Sequence, residues 1–414
     1  MDTVIERCAG IDIGKKTVAV TIRTPGNGKR RRTETRTFTT MTRAVLALRD
    51  WLISERVQVA GMEATGDYWK PIYYVLEDAV ECWLLNAHHL KAVPGRKTDM
   101  KDSEWIAQLV EHGLVRPSFV PPPPIRELRD LTRYRKTVIE ERTREVQRLE
   151  KVLEDAGIKL SSVASSILGV SGRAMLDALV NGEADPVVLA GLARGKLRGK
   201  SADLQQALLG RFRAHHAILV REMLARIDAA EATVARLCAE IEARLEPFRA
   251  QVELLMSIPG VGLRTAEVII AETGADMSAF GSPHRLAAWA GLCPGNNESA
   301  GRHRPGHTRK GNKWLGAALV ESAHAAGRTK NTYLAAQYWR LTGRRGKKRA
   351  AVAVAHSILV ITYHLLDRRE PYRDLGGDYF TSRLSTDAHV RRLVAQLERL
   401  GQHVTLNPED PKAA

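Results

Sequence analysis

Cysteine is scarce. Cys8, Cys82, Cys238 and Cys293 are the only four in 414 residues, and no two of them form a CxxC pair. That spacing offers no structural zinc site and points to a reducing compartment. Long apolar runs are missing too, since nothing approaches the ~18–20 residues that cross a bilayer. The opening Met1-Asp2-Thr3-Val4-Ile5-Glu6-Arg7 has neither the basic nor the apolar region of a signal peptide. The expectation is a cytoplasmic protein with no membrane partner. No internal repeat is visible. Acids are in deficit as well: 47 Asp and Glu face 63 Lys and Arg, a formal charge of +16. Such an excess is the footprint of a protein that meets a polyanion.

What is present can build a core and coat it. Hydrophobic residues make up 44% and charged residues 27%, which excludes global disorder and a collagen-like fibre. At ~100–200 residues per domain, the length implies two or three compact units. The positive charge is local. Between Gly301 and Ala350 thirteen Arg or Lys stand against Glu321 alone, so this window carries +12 of the +16.

Residues 1–120 carry an α/β pattern. Arg7–Ile13, Thr17–Arg23 and Thr33–Thr39 predict three strands in a meander, the last two joined by a Gly26-Asn27-Gly28 turn. Met41–Ile53 is then helical, Val57–Met62 a strand, Tyr68–Asp78 a helix, Val80–Leu85 a strand and Thr98–Glu111 a helix. That order predicts an RNase H-like sheet. The four prolines Pro121–Pro124 mark a boundary. Residues 125–250 follow as a helical coiled-coil hairpin: Glu127–Ala156 pairs with Val220–Leu245, whose Val220, Ile227, Ala230, Val234, Leu237 and Ile241 keep heptad spacing. An insertion near 157–213, with Arg194, Lys196, Arg198 and Lys200, forms the hairpin tip. Residues 251–366 make a third, mostly helical unit, and 367–414 a polar, partly disordered tail.

Asp12 lies in Gly10-Ile11-Asp12-Ile13-Gly14-Lys15, an acid inside an apolar strand between glycines that let a ligand approach. A lone buried carboxylate costs several kcal/mol unless a cation or a hydrogen bond accompanies it. Alone, it reads equally well as a turn aspartate at the strand end. Glu63 ends the fourth strand. Asp99 and Asp102, three apart in Lys97-Thr98-Asp99-Met100-Lys101-Asp102, share a face if that stretch is helical. Asp102 can also be read as charge in a helix's first turn. Each acid is weak evidence singly. Four of them around one sheet fit two-metal phosphoryl transfer, in which carboxylates hold two Mg²⁺ or Mn²⁺ ions. Asp67, Glu77 and Asp78 stand outside that set.

Towards the C-terminus, Ile258-Pro259-Gly260-Val261-Gly262 before Leu263–Thr273 has the form of a helix-hairpin-helix turn. Gly260 and Gly262 there would offer backbone N–H groups to a DNA phosphate. The run lacks the Lys-Ser or Lys-Thr ending of a P-loop. The loop Gly291–Arg302 leads into His303, Arg304, His307, Arg309, Lys310 and Lys313, a composition suited to a phosphate backbone. Pro305 and Gly306 make phosphate contact the better reading of the two histidines than metal ligation. Ser299 could attack phosphorus, although serines in such loops are more often turn residues. Cys293 reads as core. Arg344, Arg345, Lys347, Lys348 and Arg349 open a helix within the basic window and read as nucleic-acid contacts together with Arg302.

In their order, these motifs resemble the DEDD transposases of insertion-sequence family one hundred and ten. The resemblance runs from about residue 5 to 365 and adds Gly291-Leu292-Cys293-Pro294 with Ser299 five past the proline. It implies a RuvC-like N-terminal domain, a coiled coil and a C-terminal transposase domain. It implies that Asp12, Glu63, Asp99 and Asp102 bind metal and that Ser299 joins covalently to DNA during strand exchange. It implies further a homo-oligomer with composite sites, donor and target DNA, and a guide RNA encoded by the same element. Ala300-Gly301-Arg302 stands where the family commonly has Gly-Gly-Lys, and His307-Thr308-Arg309-Lys310 where it has Ile-Thr-Lys; both changes keep the basic character. The alternatives are a metal-dependent Holliday-junction-type endonuclease using activated water, and a non-catalytic nucleic-acid-binding protein.

Overall fold

Alternating β-branched residues at the start of the chain assemble one five-stranded sheet. The structure, a computed structural model, describes residues 3–26, 30–64, 66–87, 90, 101–294, 298–299, 302–303, 308, 310–382 and 386–406. The chain divides into two compact units, Met1–Val120 and Pro121–Ala414.

In the first unit β1 (Cys8–Ile13), β2 (Thr17–Pro25) and β3 (Arg31–Thr39) form an antiparallel meander. After α1 (Thr42–Ser54), β4 (Val59–Glu63) pairs parallel with β1; after α2 (Trp69–Leu76), β5 (Glu81–Leu85) pairs parallel with β4. The sheet order is β3-β2-β1-β4-β5. Gly26 N–H closes the β2–β3 connection on Arg30 O at 3.1 Å. Side chains alternate between two faces. Ile11, Val20 and Met62 pack on one face with Leu48 and Leu52 of α1 and Ile72 and Leu76 of α2. Cys8, Val59 and Leu85 pack on the other, under Trp105, Ile106, Leu109 and Val110 of α3 (Asp102–Glu111).

Two glycines seat α3 on its sheet face. Gly10 and Gly61 are direct neighbours in the β1–β4 register. A Cβ on Gly10 would run into the Ser103 carbonyl and the Ala107 backbone, and one on Gly61 would lie 2.6 Å from Val110 Cγ2. Gly10 therefore serves packing within the fold rather than the approach of a ligand. Thr21 Oγ1 to Ser103 Oγ, at 2.8 Å, fixes the helix along the strands. At its far end the buried Glu111 takes Arg23 and Arg31 at 2.8 and 2.5 Å.

In the second unit the proline run starts a helix as well as ending a segment. Pro122 is extended, and Pro123 and Pro124 occupy the first turn of α4 (Pro123–Asp155), where their missing N–H groups lose nothing. α4 runs antiparallel to α9 (Ala214–Leu245), with Arg244 near Glu127 (3.6 Å), Arg142 on Glu231 and His216 on Asp155 (3.0 Å). Between them α5 (Leu160–Val163), α6 (Val170–Val180), α7 (Pro186–Gly191) and α8 (Ser201–Leu208) close a small core over Leu149, Leu153, Val220 and Leu224.

The remainder comprises α10 (Arg249–Met256), α11 (Leu263–Thr273), α12 (Pro283–Ala290), the two-residue strands β6 (Glu298–Ser299) and β7 (Arg302–His303), α13 (Lys313–Ala326), α14 (Tyr333–Arg345), α15 (Lys347–Arg368) and α16 (Thr386–Arg399). The composition changes near Ala250, but packing does not separate the two sides. Arg129 and Arg133 of α4 bind Glu272 of α11, so hairpin and C-terminal helices form one body. α15 is long and apolar enough to cross a membrane by length and hydropathy, contrary to the expectation from the sequence. It is the core helix of its unit: Ala351, Val354, Ala355, Ile358, Leu359 and Thr362 are buried against α10, α12, α13 and α14.

Candidate functional site

Three of the four predicted acids meet at one end of the sheet. Residues of β1 alternate, so Asp12 shares with Cys8 and Gly10 the face that α3 covers. Ile11 pairs with Met62, and therefore Asp12 and Glu63 follow in step on neighbouring parallel strands, ~4.8 Å apart. α3 runs opposite to β1, with Ser103 over Gly10 and the Ala107 carbonyl accepting from Cys8 Sγ at 3.4 Å. Its amino end accordingly arrives at the carboxyl end of β1, and Asp102 is its first residue. Burial first, and then the charge of Asp102, hold the Asp12 carboxyl above the usual carboxylate range, against a lowering hydrogen bond from the Ile13 backbone. Lys101 is extended (ψ 144°), so the helix starts later than predicted. Asp99 lies outside the described residues, and its shared face with Asp102 with it. Asp67 is tied to Lys70 on the surface at 2.8 Å.

Ser299 lies in the second unit, on a short hairpin. Ser299 pairs with Arg302 and Glu298 with His303. A Pro294–Thr308 bridge joins the two arms below, and Gly311 passes so close to Ala290 and Gly291 that no Cβ fits. Next, Asn312 Oδ1 accepts the N–H groups of Trp314 and Leu315, both at 3.1 Å, and caps α13. Its amide donates to Glu272 Oε2 at 2.6 Å. Glu272 is fully buried and also receives Arg133 through two bonds, at 2.7 and 2.8 Å. This network was not anticipated. Asn312 was detectable as a cap residue ahead of an apolar run, whereas Glu272, in Ala271-Glu272-Thr273-Gly274, has nothing local to distinguish it.

The predicted nucleic-acid contacts divide. Gly260 has φ +87°, and a Cβ there would lie 2.5 Å from Ser322 O and Ala326 N, so its need for glycine is met by packing on α13. Gly262 caps α11 and has open space around it. Lys310, Lys313, Arg344, Arg345, Lys347, Lys348 and Arg349 are exposed. The last three occupy the first turn of α15, the end where the helix dipole disfavours cations. Arg302 is placed in β7; Arg304, His307 and Arg309 lie outside the described residues.

Among the described residues, Asp155, His215 and His216 have ligand atoms within 4.8 Å of one another, as a metal site would need. His216 Nδ1, however, accepts from Arg213 N–H at 3.1 Å while Nε2 meets Asp155. One ring nitrogen is used in starting α9 and the other in tying it to the end of α4.

Comparison with known proteins finds matches over both candidate sites. A family profile described as a transposase, of the DEDD IS110 type, matches residues 9–158, and one described as "Transposase IS116/IS110/IS902 family" matches residues 252–340. The chain belongs to the IS110 transposase family. The first profile spans Asp12, Glu63, Asp99 and Asp102, and the second spans Ser299; the hairpin tip falls between them. This IS110-family transposase is 27% identical over 329 residues to the transposase for insertion sequence element IS1111A of Coxiella burnetii, covering 77% of this chain and 80% of that one. It is 33% identical over 217 residues to the insertion element IS900 uncharacterized 42 kDa protein of Mycobacterium paratuberculosis, 48% and 53% of the two chains. A putative transposase of Sinorhizobium fredii, y4pF/y4sB, is 34% identical over 135 residues, 31% and 34% of the two chains.

Proposed function

We propose that this transposase cuts and exchanges the DNA strands of a mobile element with carboxylates that hold divalent metal and a nucleophilic serine. The observation that carries the reading is the meeting of Asp12, Glu63 and Asp102, with Asp12 held above its ordinary range. Like charges gathered at a strand end, one of them disfavoured by burial, favour the binding of a cation. The donors are all hard oxygens, which suits Mg²⁺ or Mn²⁺. The sheet order supports assigning the first unit as a RuvC-like RNase H fold, and the α4–α9 pair as the family's coiled coil. Asp99 completes the acidic set in this proposal.

Bound metal would supply charge stabilisation at the phosphate. Asp12, Glu63, Asp99 and Asp102 would hold and orient it. Ser299 Oγ gives up its proton and bonds to phosphorus as the bond to the leaving deoxyribose oxygen breaks, and that oxygen takes up a proton. An incoming strand's hydroxyl then displaces the serine. Arg302, Arg304, Arg309, Lys310, Lys313 and the Arg344–Arg349 run would hold the DNA backbone, with Gly262 at the amino end of α11. The same resemblance supports donor and target DNA, an element-encoded guide RNA and a multimer, and the scarcity of cysteine supports a cytoplasmic setting.

The test is to incubate full-length protein, retaining co-purified RNA, with Mg²⁺ and labelled junction DNA, then denature and look for DNA covalently attached to protein. A band lost in Ser299→Ala and in Asp12→Ala is expected. Free cut ends without any adduct would replace the serine with activated water.

A further inference from the structure

Trp339 is the only one of the seven tryptophans whose side chain is exposed, at 57%. It is nevertheless fixed. Its Nε1–H donates to the Gly327 carbonyl at 2.7 Å, and its ring meets Tyr338 edge-on at 5.5 Å and 87°. Gly327 is itself pressed on Tyr338, where a Cβ would come within 2.7 Å of the ring. An indole held in one orientation with an open face has already lost the freedom that binding would otherwise remove.

Beside it lies a cavity of about 530 Å³ that Trp339 lines with Asn331, Ala335, Ala336, Gly377 and Asp378. Ala335 and Ala336 stand one helical turn before Trp339, on its side of α14. Their small side chains line the slot beside the indole. One turn further on, Gly343 has nothing within 4 Å. Exposed cations surround the slot in sequence: Arg328, Lys330, Arg344 and Arg345. Arg340 is held at 4.1 Å over the Phe380 ring. A flat hydrophobic ring with phosphates on either side suits this arrangement, whereas an apolar peptide does not use the cations.

We propose that Trp339 is a stacking platform for an unpaired nucleobase of the nucleic acid bound by the C-terminal unit. Asn331 and Asp378 supply polar groups where the base edge would lie. A duplex keeps its bases stacked on one another and cannot use the slot, so the site reads single-stranded or flipped-out positions. This rests on the nucleic-acid role of the basic window, but it needs no cleavage chemistry.

The test is fluorescence anisotropy of full-length protein with labelled single-stranded DNA, single-stranded RNA and duplex DNA of equal length. Trp339→Ala should weaken single-strand binding ~5–150-fold, the range for one stacked base. Trp339→Phe should keep most of the affinity, and duplex binding should not change. Wild-type protein should lose the same factor with a strand of abasic sites, a measurement that involves no variant. The strand, DNA or RNA, that suffers the larger loss is the source of the base. Equal losses for duplex and single strand, or no loss with abasic strands, would overturn the proposal. Failure of the wild type to bind any of the three would overturn the nucleic-acid reading of the window as well.

Discussion

Among the described residues, the surroundings of Asp12 disfavour its charge. Burial and the neighbouring Asp102 both disfavour its charge, so its removal should relieve the metal-free protein. In EDTA at pH 7, the first unit of Asp12→Asn should melt no lower than wild type. Added Mg²⁺ should raise the wild-type transition and leave the variant where it was; calorimetry reads both, and an equal shift in the two would remove Asp12 from the metal set. His356 in α15 gives a separate pH signature. Burial first, then the positive charge of His284, push its pKa below the ordinary ~6.5. Its neutral form favours the fold, so this stability is present above ~6.5 and is lost as pH falls through the lowered value. His356→Gln should flatten the loss of second-unit stability as pH falls below ~6.5, measured by urea unfolding at each pH. At this scale the sequence shows some residues and hides others for one reason. Asp12 and Glu63 are conspicuous because an acid interrupts an apolar strand. Glu272 is as buried as any residue in the chain, but the arginines that permit its burial lie about 140 positions away.

Elements are most legible where one periodicity dominates. The three opening strands and α1 fall within two residues of their expected limits, and the order of helix and strand after them follows. The starts of α3 and α4 do not, because each depends on backbone geometry: Lys101 is extended before Asp102, and Pro122 before Pro123. Gly10 is ambiguous in sequence for a related reason, since strand glycines leave room for a ligand and for a helix alike. Gly10→Ala should cost the first unit several kcal/mol, within the tail of large single-site effects, because the new Cβ meets backbone that cannot rotate away. Gly14→Ala, whose Cβ would lie 3.2 Å from Thr17 O, should cost far less. Urea unfolding of the two variants side by side is the check, and equal losses would mean that α3 is not seated as described. In the second unit, Glu272→Ala leaves Arg133 and the Asn312 amide facing an empty site, while the bonds of Arg129 to the Ala271 and Glu272 carbonyls remain. The expected cost is roughly 3–5 kcal/mol, with Glu272→Gln falling well short of it. A negligible loss for the alanine variant would show that water already satisfies these groups.

At the scale of the whole molecule, a net charge is legible from composition but its purpose is not, because a surface charge run and a binding surface have the same sequence. Placement separates them. A solvated run has no reason to prefer the first turn of a helix, where each cation opposes the dipole by about 0.3–1 kcal/mol. Lys347, Lys348 and Arg349 occupy that turn of α15, after the open Gly346. If they are kept there to meet phosphate, replacing all three by Gln should leave the second unit's melting temperature unchanged or slightly raised. DNA affinity should fall, and the slope of log K against log salt should drop by about 0.9 for each phosphate contact removed. With three contacts the slope should fall by about 2.7. Stability and binding would then move in opposite directions, a separation that a loss of folding cannot imitate. A lower melting temperature with an unchanged slope would assign these three cations to the scaffold and leave the DNA surface to the stretch between Arg302 and Lys313 with Arg344 and Arg345.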